Sequence, residues 1–232
     1  VSMSLNTPAI QTLQEVIETA GWQTVVDYIK SLGFSQVTDN NFDIGFAIGG
    51  SNFTCTPQEL MAANAVLMNG GYYIKPHTIS KITFRNGMQE PITPTYEKTQ
   101  VLSEEAAFLT AVLMQNVVPQ YVFTQLLQRD YPVYAKTGTT DWGTSGKSYG
   151  VPTGAIKDAW MVASTSEYTV CTWIGYERAQ KNKQSYITLS DYLSNIQGKT
   201  TNAIIDTTVK EYGKPKTLEK PSGVVSISHI LG

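Results

Sequence analysis

Three consecutive segments in the second half of the chain constrain its fold most, because each has the composition of a β-strand. The first begins near Val133, and the other two span residues 159–165 and 168–176, with many β-branched and aromatic side chains. The segment 141–157 holds four glycines and a proline, which predicts a loop. Only Ser166–Glu167 separates the last two segments, which predicts a hairpin. This order predicts antiparallel strands in one sheet.

Capping and stop residues predict helices on both sides of these strands in the sequence. Thr7 is predicted to cap a first helix, with Pro8 at its first position. Ser103 is predicted to cap a mostly apolar helix that is buried deeply and ends before Pro119. Thr56 and Glu59 are predicted to form a capping box, with Pro57 beginning a helix that runs to Met68. Further helices are predicted over residues 24–32 and over the amphipathic segments 189–196 and 202–212, and residues 124–129 are predicted to add one or two turns.

A smaller β region is predicted before the Ser103 helix. Residues 72–84 have strand character, and Asn86–Gly87 is typical of a tight hairpin turn. The chain ends in another run of strand-forming residues, 227–232. We therefore expect residues 214–232 to be a C-terminal extension and a candidate for a further strand of the sheet.

Charge and residue counts exclude several kinds of function. The formal net charge of -2, without any basic cluster, argues against a nucleic-acid surface. The two cysteines, Cys55 and Cys171, are too few for a disulfide scaffold and are expected to be buried apolar residues. With only His77 and His229 as imidazoles, no metal site, cofactor or histidine triad is expected. Any acid–base chemistry must then use lysine, serine or carboxylate side chains.

The first predicted strand carries a candidate binding site. Lys136, Thr137, Gly138 and Thr139 offer a cation, hydroxyl groups and a glycine against which a ligand could lie. An extended ligand with a carboxylate could pair with the strand edge while the lysine holds its anionic end. The alternative is an ordinary edge strand that is protected by a lysine.

A second polar group lies immediately before the first predicted helix. Ser4 could relay a proton, and the Asn6 amide could both donate to and accept from a substrate amide. A helix entry with ordinary polar residues is the alternative reading.

Together, Ser-x-Asn and Lys-Thr-Gly-Thr resemble two of the three motifs of the penicillin-recognising serine enzymes. The surrounding sequence is similar to one branch, the transpeptidase domain of class A penicillin-binding proteins, over most of residues 1–213. The segments that carry this resemblance are Ser4-Leu5-Asn6-Thr7-Pro8-Ala9, Ala47-Ile48-Gly49-Gly50, Thr56-Pro57-Gln58-Glu59-Leu60, Asn69-Gly70-Gly71, Lys136-Thr137-Gly138-Thr139-Thr140, Lys157-Asp158-Ala159-Trp160 and Trp173-Ile174-Gly175-Tyr176.

The resemblance implies roles for these residues. Ser4 would shuttle a proton and Asn6 would hold the acyl-donor peptide. Lys136, with the hydroxyls of Thr137 and Thr139, would bind the terminal carboxylate of a D-alanyl-D-alanine stem peptide or of a β-lactam. The Thr139 backbone N–H would be one oxyanion-hole donor. The implied fold is α/β, with a central antiparallel sheet and helices on both faces, incomplete in this chain.

One motif of the family is absent from the sequence. The nucleophile belongs to a Ser-x-x-Lys motif upstream of Ser-x-Asn, and no serine here has a lysine three positions later. We therefore expect residues 1–213 to be the C-terminal part of a transpeptidase domain whose partner is an upstream segment of the same protein. The activity implied is peptidoglycan cross-linking by serine acylation. The alternatives are a non-catalytic module that binds wall peptide, and a hydrolase of the carboxypeptidase or β-lactamase type.

The glycine-rich loop 141–157 is a second departure, because the family usually passes from the threonines to Lys-Asp-Ala-Trp more directly.

No run of 18 apolar residues and no charged-then-apolar leader occurs in the sequence. The resemblance implies work at the extracytoplasmic face of a bacterial membrane, with any anchor outside this chain.

Overall fold

A computed structural model describes residues 1–50, 52–85, 87, 89–181 and 183–227. In chain order, its helices are α1 (Asn6–Ala20), α2 (Trp22–Ser31), α3 (Pro57–Met68), α4 (Glu104–Gln115), α5 (Val117–Gln120), α6 (Leu189–Leu193) and α7 (Ile196–Tyr212). Its strands are β1 (Tyr72–Ile74), β2 (Lys98–Gln100), β3 (Tyr134–Asp141), β4 (Ile156–Ser164) and β5 (Thr169–Gly175).

The main sheet has the strand order β3-β4-β5 with antiparallel pairing throughout, which confirms the predicted strand and hairpin. Lys136 stands opposite Val162, and Trp160 stands opposite Trp173. The register shifts between Thr140 and Asp141, where the chain leaves β3 for the loop. Within the described residues, β3 and β5 are the two edges of this sheet.

Helices pack on both faces of the sheet, because alternate side chains of β3 and β4 point to opposite sides. One face packs against α5 and α7 through a buried cluster of Val118, Leu127, Val133, Ala135, Met161, Ala163 and Ile205. The other face packs against α4 and α3 through Ala111, Met114, Tyr134 and Val162, with Leu67 and Met68 beside them. The predicted α/β class, with an antiparallel sheet between helical layers, is confirmed.

A separate buried cluster lies in the first sixty residues. It contains Val25, Val26, Phe34, Val37 and Phe42. Side chains of α1, including Leu13 and Ile17, pack against this cluster, but no residue of α1 is fully buried. The cluster therefore connects the N-terminal helices to α3, whose Leu60 and Ala63 also contact it.

The start of α1 differs from the prediction. The helix begins at Asn6, and its N-cap is Leu5 in an extended conformation, so Thr7 is not the cap. Pro8 instead occupies the third helical position. Proline is tolerated there because the first N–H groups of a helix have no intrahelical acceptor.

The predicted strand 72–84 is mostly absent. β1 ends at Ile74, two residues before Pro76, and pairs with β2 in a small two-stranded sheet. Proline cannot donate to a strand ladder, which accounts for this early end. Ile82 and Ile92 form an isolated antiparallel bridge around Gly87, whose φ is +61°. Asn86, the other half of the predicted turn, lies outside the described residues.

Three other helical predictions need correction. Ser103 caps α4 by accepting the Ala106 N–H, but the helix is not deeply buried as a whole, since Leu109 and Leu113 are each 51% exposed. Residues 124–129 contain only a short 3-10 turn at Gln125–Leu127. The two amphipathic segments exist, but the second begins earlier than predicted, at Ile196.

The capping box at α3 is present as predicted. The Thr56 hydroxyl accepts from the Glu59 N–H at 3.1 Å, and the Glu59 carboxylate accepts from the Thr56 N–H at 2.7 Å.

Residues 214–227 run beside the domain without forming a strand, and Leu218 packs near Tyr134. Residues 228–232, the rest of the segment suggested as a strand, lie outside the described residues.

Candidate active site

Lys136 lies near the middle of the edge strand β3, and its ammonium group is held by two oxygen atoms. Its Nζ donates to Ser4 Oγ at 2.7 Å and to the Thr137 carbonyl at 2.8 Å. Burial lowers the pKa of Lys136. The structure thus brings together two of the predicted site residues that are 132 positions apart in the sequence.

Ser4 reaches this position through a tight turn at the start of the chain. Its φ is +51°, in the left-handed region that serine rarely adopts, and its N–H donates to the Val1 carbonyl at 3.0 Å. Asn6 follows as the first residue of α1 and is exposed. Among the side-chain hydrogen bonds of the described residues, Ser4 is bonded to a residue of β3 and Asn6 is not.

Thr137 and Thr139 lie on the opposite face of β3 from Lys136, as alternate residues of a strand must. The Thr139 hydroxyl lies 3.0 Å from the hydroxyl of Tyr192, which is on α6. Burial, and then the nearby Tyr192, raise the pKa of Tyr121. Thr139 is therefore hydrogen-bonded to a tyrosine from a different element of the fold.

Gly138 lies between these threonines without an internal steric need for glycine. A Cβ atom placed there would be 3.6 Å from the Trp160 Cβ, an ordinary van der Waals distance, and its φ is not positive. The fold alone would therefore accept alanine at this position.

The end of β3 is fixed by Asp158 on the neighbouring strand. Its carboxylate accepts from the Thr140 hydroxyl at 2.6 Å and from the Trp173 indole N–H at 2.8 Å. Lys157 lies 3.6 Å from the same carboxylate. Asp158 thereby joins all three strands immediately beyond Thr139, and it stiffens the strand that carries the candidate binding residues.

The glycine-rich loop after β3 is held at its base. The Trp142 N–H donates to the Ala155 carbonyl at 3.0 Å, and the Trp142 indole donates to the Ser185 carbonyl at 2.7 Å. Lys157 lies over the Trp142 ring, 5.4 Å from its centroid. The loop therefore forms a structured rim next to the end of β3.

The cysteines do not offer an alternative nucleophile. Burial raises the pKa of the Cys55 thiol to about 11 and that of the Cys171 thiol to about 12. Both are therefore protonated thiols at neutral pH, whereas the thiolate is the reactive form. The prediction that they are buried is only partly right, because both side chains are half-exposed rather than fully enclosed.

Sequence reasoning missed Tyr121 and Tyr192. Neither belongs to a recognisable motif, and Tyr192 lies on a helix of five residues. Asp158 was visible only as part of Lys-Asp-Ala-Trp, without an indication of its hydrogen-bond partners.

Within the described part of the chain, no cluster of three or more His, Cys, Asp or Glu residues is arranged to hold a metal ion. None of the described helices combines the length and apolar character needed to cross a bilayer.

Comparison with known proteins gives relatives of similar sequence. The chain is 27% identical over 149 residues to penicillin-binding protein 1A/1B of Bacillus subtilis, covering 63% of this chain and 16% of that protein. It is 29% identical over 189 residues to penicillin-binding protein 1F of the same bacterium, covering 78% and 23% respectively. The chain thus spans less than a quarter of the length of these relatives.

Solved structures show the same fold. The structure of PonA1 from Mycobacterium tuberculosis aligns with a TM-score of 0.64 and 20% identity, over 90% of this chain and 58% of that chain. A second PonA1 structure, in complex with penicillin V, aligns with a TM-score of 0.63 and 21% identity, over 88% and 54%.

The family model for the penicillin-binding protein transpeptidase domain matches residues 2–207, which include both Ser4 and the strand that carries Lys136. The predicted resemblance to the class A branch is confirmed by this match and by the relatives of type 1A/1B. The chain belongs to the penicillin-binding protein transpeptidase domain family.

Proposed function

We propose that this chain forms one wall of the active site of a peptidoglycan D,D-transpeptidase. In this proposal, residues 1–213 bind the D-alanyl-D-alanine end of a stem peptide and are the part of the domain that β-lactams recognise. The attacking serine belongs to a Ser-x-x-Lys segment upstream of residue 1. The observation that carries the proposal is the contact between Lys136 Nζ and Ser4 Oγ, on an edge strand of a transpeptidase-family fold.

The hydrogen-bond capacity of Lys136 supports carboxylate binding. An ammonium group has three donors, and two are used by Ser4 Oγ and the Thr137 carbonyl. The third remains for the carboxylate of an acyl donor. In this proposal the carboxylate lies at the strand edge, where the hydroxyls of Thr137 and Thr139 supply further donors from the other face of β3. Charge-assisted hydrogen bonds of this kind are stronger than neutral ones.

The same contact supports proton transfer by Ser4. The Ser4 oxygen accepts from Lys136, so the hydroxyl proton of Ser4 is free to point elsewhere. When the bond to the leaving amine breaks, Ser4 can give its proton to that nitrogen while Lys136 supplies a replacement proton. Burial lowers the pKa of Lys136, which makes this donation easier.

The edge of β3 supports binding of an extended peptide. β3 has β4 on one side, and within the described residues its other edge has no strand partner. A peptide can add to such an edge through backbone hydrogen bonds. Gly138 fits this arrangement, since glycine is not required there by the protein interior but would permit close approach of a ligand. The Thr139 N–H would then be one oxyanion donor, with the second contributed by the attacking serine.

Labelled penicillin tests the proposal. The chain alone and the chain joined to its upstream segment are each incubated with the label, denatured and examined for covalent attachment. We expect label on the joined protein and none on the chain alone, because the nucleophile is supplied by the upstream segment. Label on the chain alone, or no label on the joined protein, would contradict the proposal.

The absence of a Ser-x-x-Lys motif in the sequence favours a second candidate, a binding module without catalysis. The upstream sequence distinguishes the two, since the binding module would also lack that serine there. Hydrolysis is the remaining alternative to transfer. Addition of an amine acceptor to the acylated protein separates them: a transpeptidase yields the amide product, and a hydrolase yields only the acid.

We further propose that the domain works at the extracytoplasmic face of the membrane, with its anchor outside this chain.

A further inference from the structure

A tyrosine hydroxyl lies beside Thr139 of β3, on the face opposite Lys136. Tyr192 OH is 3.0 Å from Thr139 Oγ1. The roles assigned to Lys136, Ser4 and Asn6 make no use of this tyrosine.

The position of Tyr192 is fixed by its surroundings. Its ring packs against Phe123 with a centroid distance of 4.9 Å, and Phe123 packs against Tyr121 at 5.8 Å. Asn195 connects the Phe123 backbone to the start of α7. Its amide N–H donates to the Phe123 carbonyl at 2.9 Å, and its side-chain oxygen caps α7 by accepting the Gly198 N–H at 3.2 Å. The Tyr192 hydroxyl is thus held against Thr139 by packing and hydrogen bonds.

The hydrogen bond between Thr139 and Tyr192 limits what the Thr139 hydroxyl can donate to. A threonine hydroxyl has one proton, so Thr139 cannot donate to Tyr192 and to a ligand at the same time. A phenol is the more acidic donor, and when Tyr192 donates to Thr139 the threonine proton is free for an incoming carboxylate. Donation along such a chain also strengthens the final hydrogen bond. The arrangement prepares Thr139 as a donor before the ligand arrives.

We propose that Tyr192 is a positioning residue that orients the Thr139 hydroxyl toward the carboxylate of the acyl donor. This inference rests on the proposed function, since it assumes that the threonines bind that carboxylate. It adds an element outside the Ser-x-Asn and Lys-Thr-Gly motifs, α6, to the binding machinery.

The test uses Tyr192→Phe in the chain joined to its upstream segment, because phenylalanine keeps the ring packing and removes only the hydroxyl. The acylation rate constant is measured with a penicillin that has a free carboxylate and with the methyl ester of the same penicillin. We expect Tyr192→Phe to slow acylation by the free acid roughly tenfold, the effect of weakening about one hydrogen bond to a charged group. The ester should be affected much less.

Two further variants test whether Tyr192 acts on acylation through the Thr139 hydroxyl. Tyr192→Phe should have little additional effect once Thr139→Val has removed the threonine hydroxyl, because the tyrosine acts through it. Tyr212→Phe is the matched control, since Tyr212 is 66% exposed at the far end of α7, and we expect wild-type rates for it.

The outcomes separate this inference from the proposed function. If the wild-type protein is not acylated at all, the proposed function fails and this inference fails with it. If the wild type is acylated and Tyr192→Phe has the same rate with the free acid, only this inference is overturned. Equal slowing with acid and ester, or full additivity with Thr139→Val, would assign Tyr192 a general structural role and overturn it as well.

Discussion

The ammonium group of Lys136 has an environment that its sequence neighbours do not explain. A lysine on an edge strand is commonly exposed and protective, whereas Lys136 is half-buried and bonded to Ser4 and Thr137. Desolvation lowers its pKa, since burial disfavours the charged form. Both facts distinguish Lys136 from an ordinary edge lysine, as its proposed binding role requires.

Replacement of Lys136 by alanine should chiefly reduce acylation efficiency. The carboxylate of the donor would lose one charge-assisted hydrogen bond, for which we expect about a 10- to 100-fold lower acylation rate constant with penicillin. The measurement is made on the chain joined to its upstream segment, with Lys199→Ala on the exposed side of α7 as control. An unchanged rate in Lys136→Ala would refute its binding role.

The lowered pKa of Lys136 also predicts a pH dependence. A neutral lysine cannot hold a carboxylate by charge, so acylation should decline as pH rises through the pKa of Lys136, below the ordinary lysine value of 10.5. Lys136→Arg should move this decline to higher pH, because arginine stays protonated. A decline at the same pH in both proteins would assign the titration to another group.

At the scale of elements, α3 and the α6–α7 junction show how single polar side chains fix the structure around the site. Glu59 caps α3 and also accepts the Ser35 N–H at 2.9 Å, which joins the loop after α2 to the start of α3. Asn195, with a φ of +54°, caps α7 and binds the Phe123 carbonyl. Each residue connects two segments that are distant in sequence.

Glu59→Gln should destabilise the protein in a pH-dependent manner. Desolvation opposes ionisation of Glu59, but hydrogen bonds from Ser35 and Thr56 outweigh it and lower its pKa from 4.5 to about 2. A lowered folded-state pKa means that this stabilisation is complete above about pH 4.5 and is lost as pH falls toward 2. We expect the unfolding free energy at pH 7 to fall by about 1 kcal/mol, because the glutamine oxygen accepts neutral hydrogen bonds in place of the stronger charge-assisted ones.

Denaturant titration at pH 7 and pH 3 measures this effect. The difference between wild type and Glu59→Gln should be smaller at pH 3. Glu18→Gln, on the exposed side of α1, removes the same charge and should change stability little at either pH. A difference for Glu59→Gln that does not shrink with pH would contradict the role of the ionised carboxylate.

Two substitutions of Asn195 separate its backbone and side-chain roles. Asn195→Ala loses the cap and forces alanine into a left-handed conformation, so we expect a loss of about 1–2 kcal/mol in unfolding free energy. Asn195→Gly loses the same hydrogen bonds but accepts the positive φ, and should therefore be less destabilising. Thermal or denaturant unfolding provides the measurement, and equal losses would mean that the backbone conformation contributes nothing.

At the scale of the whole molecule, the site lies where the N-terminal turn meets one edge of the sheet. Lys136 and Ser4 meet there, while β5 forms the other edge within the described residues. Leu109 and Leu113 on α4 are also half-exposed. We propose that β3 receives the substrate peptide and that the upstream segment covers the opposite edge and part of these apolar surfaces.

Amide hydrogen exchange tests this division of the two edges. Joining the upstream segment should slow exchange in β5, because its outward N–H groups gain partners, and should leave β3 largely unchanged. Addition of penicillin to the joined protein should then slow exchange in β3. Protection of β3 by the upstream segment before ligand addition would contradict the assignment of that edge to substrate.

Local sequence was sufficient for the hairpin of β4 and β5 and for the cap at Thr56, since turn residues and capping groups act within a few positions. It misplaced the start of α1, because proline suits any position in the first turn, and either Thr7 or Leu5 could precede a helix there. The burial of α4 was overestimated because apolar residues occur on more than one of its faces, and composition does not say which face is covered.

The sequence by itself determined the family of this protein, its antiparallel sheet and the strand that carries Lys136, Thr137, Gly138 and Thr139. Only the tertiary structure decided which side chains meet that strand. Ser4 comes from 132 residues away, and Tyr192 comes from a short helix without a motif. The reason is physical: strand and cap preferences depend on neighbouring residues, whereas contacts between residues far apart in the sequence depend on how the whole chain packs.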